Sequence, residues 1–128
     1  MIVLEDIVWD RGSRYAAAAG MVRSRAEIEA FLATLRRRRK FDKAMHHSWA
    51  ALLAEGGPQK NDDGEAGAGA VILKMLEREA VQDRIVVVTR WYGGVNLGGD
   101  RFAHIVTCTR AALATLRDDP LGAGPSAG

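Results

Sequence analysis

The most constraining stretch of this sequence is residues 84–89, RIVVVT, an almost unbroken run of β-branched side chains. Such a run is typical of a strand that is buried on both faces, because β-branched residues pack well on a pleated sheet and no polar residue alternates with them. The sequence therefore predicts a buried strand at residues 84–89. The other elements are interpreted around it.

Local patterns predict the remaining elements. Residues 4–9 and 15–22 are typical of two strands of a hairpin, joined by an Asp-Arg-Gly-Ser turn. Ser24 and Glu27 have capping-box spacing and precede apolar residues at helical intervals, which predicts a first helix. Residues 46–54 are predicted to form a strand, and residues 55–64 a surface loop. Apolar stripes predict a second helix that ends near residue 80, and a third after the glycines that follow the buried strand.

The predicted order is hairpin, helix, strand, helix, strand, helix. This order indicates the α/β (α+β) class, as a two-layer sandwich with helices packed on a sheet. A chain of 128 residues is long enough for one core and too short for two ordinary domains. Residues 1–117 are therefore predicted to form a single domain, and residues 118–128, which offer little to bury, a disordered tail.

Composition narrows the functional classes. The formal net charge is only +2, with 18 basic and 16 acidic residues, which does not by itself indicate a nucleic-acid-binding protein. No apolar run is long enough for a membrane helix, and the N-terminus does not resemble a signal peptide. The single cysteine, Cys108, excludes an internal disulfide and favours a reducing compartment. A cytoplasmic protein is predicted.

The charges are segregated along the chain. Residues 36–40 are RRRRK, at the predicted end of the first helix. Cations at this position complement the helix dipole, and a solvated helix face is the simplest interpretation. The alternative is a contact surface for RNA phosphates or for an acidic partner.

A second charged segment, KNDDGEAGAGA, contains Asp62, Asp63 and Glu65. Carboxylates with capping-box spacing favour helix initiation at this point. The alternative is a divalent cation held by the three carboxylates, although the ligand spacing of a calcium loop is absent. The glycines of this segment are costly in a helix, which indicates close approach of another backbone or of a ligand.

The histidines and the cysteine are the candidate catalytic groups of this sequence. His46 and His47 are predicted to point to opposite faces of a strand, which disfavours joint metal binding. Asp100, His104 and Cys108 recur at helical spacing and superficially resemble a nucleophile with its base. Cys108 nevertheless falls beside the apolar stripe of the third helix, where a small buried cysteine is common and inert. No catalytic residue is predicted.

Residues 90–102, RWYGGVNLGGDRF, place two glycine doublets between the buried strand and the third helix. A phosphate-binding loop requires Lys followed by Ser or Thr at the helix start, whereas this segment has Asp100 and Arg101. Asp100 is predicted to be the helix N-cap, where its charge would compete with a bound anion. Phosphate binding is therefore the minority interpretation.

Several blocks together resemble a known family. SRYAAAA, a histidine before a strand, DDGEAGAG and VVVTRWYGGVNLGGDRFAHI occur in this order across nearly the whole predicted domain. The chain is identified as a member of the IMPACT/YigZ family, with motifs closer to the eukaryotic IMPACT branch. The resemblance implies a fold similar to the second domain of the fifth small-subunit ribosomal protein, including a left-handed β-α-β crossover.

The resemblance also implies a role in translation. Eukaryotic members relieve inhibition of initiation by competing for the activator of a starvation-sensing kinase, and nucleic-acid binding has been suggested for bacterial members. This sequence departs from the family pattern at Met45-His46-His47, where Thr-His-Asn is usual, and at Ala51-Leu52, where an aromatic residue and Arg are usual. Only His46 carries over from that region. The sequence is also expected to hold neither of the additional domains of the two branches, so kinase-pathway control is not carried over.

The leading prediction is a translation-associated regulatory or binding module that acts without catalysis and without a cofactor. Its partner is predicted to be RNA, the ribosome or a translation-control protein. The predicted binding residues lie in the acidic segment, the glycine turn and the strand before them: His46, Asp63, Glu65, Arg90, Trp91, Tyr92, Gly93, Gly94, Asp100 and Arg101. Two alternatives stay open, a metal-dependent hydrolase of nucleotides or phosphoesters with Asp62, Asp63 and Glu65 as ligands, and a protein-protein adaptor whose motifs are purely structural.

Overall fold

The computed structural model describes residues 1–118, so residues 119–128 of the predicted tail lie outside the described residues. The described chain contains five strands and three α-helices. In chain order these are β1 (Ile2–Asp10), β2 (Ser13–Met21), α1 (Arg25–Arg37), β3 (His46–Leu53), β4 (Gly57–Asn61), α2 (Ala68–Arg78), β5 (Arg84–Trp91) and α3 (Asp100–Asp118). A short 3-10 turn, Phe41–Lys43, precedes β3.

The five strands form one sheet in the order β1-β2-β5-β3-β4, and every neighbouring pair is antiparallel. The β-branched run lies in β5, the central strand, as predicted. Strands β2 and β3 both run antiparallel to β5, so they are parallel to each other and are joined through α1. Strand β4 is likewise parallel to β5 and is joined to it through α2. The left-handedness of a crossover stays a prediction.

Helices cover both faces of the sheet. Alternate residues of the alanine-rich strand β2 belong to different cores: Ala17 packs with α2 and α3, whereas Ala16 packs with α1. Short alanine side chains leave room on each face for the larger aliphatic side chains of the helices. The mixed α/β prediction is confirmed, and α1 adds a third layer to the two-layer sandwich that was expected.

Local signals explain where the elements begin. The Ser24 hydroxyl accepts a hydrogen bond from the Glu27 backbone N–H at 3.2 Å, and Glu27 Oε1 accepts one from the Arg23 N–H at 2.7 Å. The first bond satisfies a donor that the first turn of α1 leaves free, as the capping pattern predicted. The Glu27 carboxylate reaches the N–H of Arg23, the residue before the N-cap, and not that of Ser24 itself. The basic run begins in the last turn of α1, where Arg36 and Arg37 lie.

The predicted surface loop at residues 55–64 is wrong in its centre, because residues 57–61 form the edge strand β4. Proline and glycine disfavoured a strand in the sequence. Pro58 is nevertheless tolerated because an edge strand has one side without hydrogen-bonded neighbours. Gly57, the first residue of β4, has a φ of +71°, which helps the chain reverse between β3 and β4.

Candidate functional site

The central strand continues further than the sequence indicated. Strand β5 ends at Trp91, so Arg90 and Trp91 belong to the strand and not to a turn. Consecutive strand residues point to opposite faces of a sheet. Arg90 lies on the side of α2 and α3, whereas the Trp91 ring contacts Phe41 on the side of α1, with ring centroids 5.0 Å apart. The two predicted binding residues therefore do not share a surface.

Arg90 is the centre of a buried polar network. Its Nη1 lies 2.9 Å from Glu65 Oε1, and both residues are almost completely buried. The same carboxylate oxygen accepts a hydrogen bond from the Tyr15 hydroxyl at 3.2 Å, and Arg90 Nη2 donates to the Ser13 hydroxyl at 3.3 Å. The guanidinium also lies over the rings of Tyr15 and Tyr92. This network joins the acidic segment, β2 and β5.

The network leaves two buried polar atoms without partners in the described chain. They are Glu65 Oε2 and Arg90 Nε. Burial, together with the nearby Glu65 carboxylate, raises the pKa of the Tyr15 phenol, so Tyr15 stays a hydrogen-bond donor. Burying an ion pair with unsatisfied atoms costs desolvation free energy. The presence of this cluster is therefore not explained by a gain in stability alone.

The other carboxylates of the acidic segment bind backbone. Asp62 accepts hydrogen bonds from the N–H groups of Gly67 and Gly69 at 3.0 and 2.8 Å, and these bonds lower the pKa of its carboxyl group despite some burial. Asp63 Oδ2 accepts the His47 N–H at 2.8 Å. Asp62 thus initiates α2 as predicted, whereas Glu65 binds Arg90 and is not its capping-box partner.

The different partners of Asp62, Asp63 and Glu65 argue against a shared metal ion. The three carboxylates serve three different sets of partners, on α2, on β3 and on Arg90. Among residues 1–118, no group of three or more His, Cys, Asp or Glu side chains is arranged to hold a metal ion. The described part of the chain therefore offers the hydrolase hypothesis no ligand set.

The adjacent histidines take separate roles. The ring of His46 hydrogen bonds through Nδ1 to the Asp63 carbonyl at 2.8 Å and stays partly exposed. His47 is buried on the other face, where its Nε2 lies 3.1 Å from the Phe41 carbonyl and its Nδ1 lies 3.0 Å from the Thr89 hydroxyl. Burial lowers the pKa of His47, so its neutral ring is a structural link.

Gly93 is required by the approach of two backbones. A Cβ atom at Gly93 would lie 2.2 Å from the Gly12 carbonyl carbon and 2.4 Å from the Ser13 nitrogen. The Gly93 N–H also donates to the Ser13 hydroxyl at 3.1 Å. Gly93, in the first glycine doublet, therefore packs directly against the turn of the β1-β2 hairpin. In contrast, nothing in the described structure lies within 4 Å of a Cβ at Gly94 or Gly99.

The start of α3 is organised by a charge cluster that the sequence did not indicate. Asp100 is the first residue of the helix, not the residue before it, and its carboxylate forms an ion pair with Arg11. Arg11 also binds Asp10, whose second oxygen lies 2.7 Å from His104 Nε2. Arg11 first, and His104 second, lower the pKa of Asp10 to about 2.

The Asp100-His104-Cys108 trio does not assemble. His104 turns to Asp10, on the hairpin, and not to Asp100. Cys108 is completely buried in the core, and this burial raises the pKa of its thiol to about 12. A thiol in such surroundings is not a nucleophile at neutral pH.

A cleft of about 270 Å³ lies where the acidic segment, the end of β5 and the start of α3 meet. Six of the residues that line it are His46, Glu65, Arg90, Tyr92, Asn96 and Arg101. Arg101 donates through Nε to the Gly98 carbonyl at 3.0 Å, and Tyr92 donates to the Asn96 side chain at 3.1 Å. The structure thus brings together five predicted residues, His46, Glu65, Arg90, Tyr92 and Arg101, in one concave site.

Exposed apolar side chains flank cleft residues in the chain. Besides Tyr92, which lines the cleft, they are Met45, Val95 and Phe102, next to His46, Asn96 and Arg101, and the exposed fractions of the four are 38 to 59%. Sequence reasoning missed Met45, Val95, Asn96 and Phe102. An apolar residue next to a polar motif is ambiguous in a sequence, because only the fold decides whether it faces the core or the solvent.

Comparison with known proteins identifies the family. The profile described as Impact N-terminal domain matches residues 11–113. The chain belongs to the IMPACT family. The IMPACT homolog of Caenorhabditis elegans is 35% identical over 116 residues, and Protein IMPACT of Bos taurus is 38% identical over 111 residues. These alignments cover 85% and 83% of this chain but only 45% and 35% of the relatives, so the chain spans less than half their length.

Solved structures support the IMPACT fold. A crystal structure of a hypothetical protein, 24% identical, superposes with a TM-score of 0.74 over 88% of this chain and 57% of that chain. The two-domain translational regulator Yih1, 36% identical, superposes with a TM-score of 0.50 over 83% of this chain and 43% of that one. The predicted family and fold class are confirmed. No helix within residues 1–118 of this IMPACT-family chain has the length and apolar character needed to cross a membrane.

Proposed function

We propose that this chain is a translation-regulatory module that acts by binding, in the cytoplasm, and that its cleft is the docking surface. The observation that carries the proposal is its family membership together with its likeness to Yih1, which is described as a translational regulator. The partner belongs to the translation apparatus, as RNA, ribosome or translation-control protein. No catalytic step is part of the proposal.

The geometry of the cleft supports binding. The Arg101 side chain makes one hydrogen bond in the described structure, through Nε, so the terminal nitrogens of its guanidinium are available to an acceptor on a partner. Tyr92 and Phe102 beside it are partly exposed, and amphipathic aromatic residues with arginine are the side chains most enriched at interface hot spots. The buried Arg90-Glu65 pair beneath them holds the floor of the cleft in place.

A protein partner is the second candidate, in the manner of an adaptor. The observation that favours it is that the exposed apolar residues Met45, Val95 and Phe102 are chain neighbours of cleft residues, since exposed apolar surface is typical of protein-protein contacts. The contacts that Gly93 and Asp62 make within the domain support the same alternative, because they explain these motif residues by a structural role.

The test uses purified ribosomal subunits and structured RNA, titrated with the chain across a salt series. Tyr92→Ala and Arg101→Ala are expected to weaken binding at least tenfold, about 1.4 kcal/mol each. The matched control is Arg110→Ala, an exposed arginine further along α3. Equal binding by the cleft variants and the control would exclude the cleft as the docking surface.

Capture from native lysate distinguishes the two partner classes. The wild-type chain and the Arg101→Ala variant are used as baits, with and without nuclease treatment. Partners that the wild type retains after nuclease, and that the variant loses, support a translation-control protein. Partners that disappear with nuclease support RNA or the ribosome.

A further inference from the structure

The basic run that ends α1 lies beside a groove on the sheet face opposite the cleft. Arg38, Arg39 and Lys40 line one depression of about 410 Å³ together with Glu5 of β1. Lys40 and Glu5 also line a second, smaller depression, which adds Arg14 and Trp91. The two depressions share residues and form one continuous surface, which we call the basic groove.

Aromatic side chains extend the basic groove across the sheet. In the strand register, Trp9 of β1 is opposite Arg14 of β2, and Arg14 is opposite Trp91 of β5. These three residues form a row on one face, with the Arg14 guanidinium 5.1 Å from the centroid of the Trp9 ring. Trp9 is 70% exposed, the largest exposed fraction among the large apolar side chains of the described chain. An indole in this position offers a free face for stacking.

The backbone holds this surface in an unusual shape. Lys40 has a φ of +78°, and Asp6 of β1, which lines the same depression, has a φ of +53°. Left-handed backbone is uncommon for residues other than glycine and persists only where surrounding contacts hold it. The Trp91 indole N–H supplies such a contact by donating to the Lys40 carbonyl at 2.9 Å. The row of aromatic residues and the basic run are therefore mechanically linked.

The charges of the basic groove are not neutralised internally. Arg14, Arg38, Arg39 and Lys40 face only two carboxylates, Glu5 and Asp6. None of these six side chains forms an ion pair within residues 1–118. A surface with excess unpaired cations beside an exposed indole matches the two needs of single-stranded nucleic acid, which are cations along the backbone and a platform for a base.

We propose that the basic groove binds single-stranded RNA, with Arg38, Arg39 and Lys40 on the phosphates and a base stacked on Trp9. An acidic protein segment would use the cations but would have no need of the bare indole face. Double-stranded RNA would also leave Trp9 unused, because its bases are already stacked. This proposal does not depend on the cleft, which lies on the other face of the sheet.

The test is fluorescence anisotropy with a labelled oligouridylate of about 16 nucleotides, the upper site size of small single-strand-binding folds. Trp9→Ala is expected to weaken binding roughly tenfold, the loss of one stacked base. Arg38→Ala with Arg39→Ala is expected to make the slope of log affinity against log salt less steep by about 1.4, or 0.7 per phosphate contact. The control is Lys74→Ala with Arg110→Ala, which removes two exposed cations from the helices of the other face.

Tryptophan emission separates stacking from charge attraction. RNA is expected to quench the wild-type chain, and the quenching is expected to fall in Trp9→Phe while anisotropy still reports binding. All the substituted residues are exposed, and the half-buried Arg14 and Trp91 are left intact. Circular dichroism verifies the folding of each variant. Binding that is unchanged by the Trp9 and arginine variants relative to the control would overturn the proposal. Loss of a nuclease-resistant protein partner in Trp9→Ala, with RNA binding intact, would overturn it in favour of a protein contact.

Discussion

Replacement of Gly93 by alanine tests the packing at the glycine turn most directly. The added Cβ would lie 2.2 Å from the Gly12 carbonyl carbon, 2.4 Å from the Ser13 nitrogen and 2.6 Å from the Gly12 oxygen. Ordinary van der Waals contacts of a Cβ begin near 3.4 Å. The turn of the β1-β2 hairpin must therefore move by about 1 Å, and backbone atoms cannot rotate away as a side-chain terminus can.

The expected cost combines two effects. Overpacking of a close contact costs typically 1 to 3 kcal/mol, and the upper part of that range applies because both partners are backbone. Movement of the turn also strains the hydrogen bonds that Ser13 accepts from Gly93 and from Arg90, each worth about 1 kcal/mol. We expect Gly93→Ala to reduce the free energy of unfolding by about 4 kcal/mol.

Urea unfolding followed by circular dichroism measures this loss. The matched control is Gly99→Ala, where a Cβ meets nothing within 4 Å and φ is not left-handed. Its effect is expected to stay within about 1 kcal/mol, because the stiffer unfolded chain and the poorer residue before a helix act in opposite directions. If Gly93→Ala and Gly99→Ala unfold at the same urea concentration, the close backbone approach is not what requires glycine at this position.

Two further predictions concern charge. Glu65→Ala leaves the buried Arg90 guanidinium without its carboxylate and is expected to lower the free energy of unfolding by about 3 to 5 kcal/mol in urea, with a smaller loss for Glu65→Gln. A loss smaller than that of the exposed control Glu29→Ala would contradict the buried pair. The folded-state pKa of Asp10, about 2, lies below its ordinary 3.8, so its stabilising effect is complete above about pH 4 and is lost as the pH falls towards 2. Asp10→Asn should therefore unfold with a flatter pH dependence in that window, and an unchanged profile would show that Asp10 carries no such linkage.

The sequence predicted the periodic parts of this fold well. The β-branched run, the capping pattern of α1 and the apolar stripes of the helices all depend on residues close together in the chain. Strand β4 was missed because it contains Pro58, which is tolerated mainly in edge strands. The local sequence does not show that a strand will lie at the edge of the sheet. The third layer was missed because strand β2 consists largely of alanine, which does not show which face a helix will cover.

The candidate site was less predictable, for a physical reason. Arg90 and Trp91 were assigned to one surface, but the extension of β5 by two residues separates them to opposite faces. Arg90 was expected to be exposed, yet Glu65 and Tyr15, distant in sequence, bury it. The hydrogen bond between Asp10 and His104 likewise joins residues far apart in the chain. Such contacts depend on tertiary packing, which local spacing does not encode.

The structure also separates two kinds of motif residue. Asp62, Glu65, Arg90 and Gly93 use their polar groups, or their lack of a side chain, on contacts within the domain. Substitutions at these positions are expected to act on folding first, so their effects on binding report stability as well as contact.

Partner binding is then expected from residues next to the buried network whose side chains are not used in contacts within the domain. Tyr92 and Arg101 on one face and Trp9 on the other are such residues, since each keeps a ring face or a guanidinium end toward solvent. The two surfaces lie on opposite sides of one sheet, and β5 contributes to both through Arg90 and Trp91. If both proposals hold, a partner protein at the cleft and an RNA strand in the basic groove would therefore not compete for space.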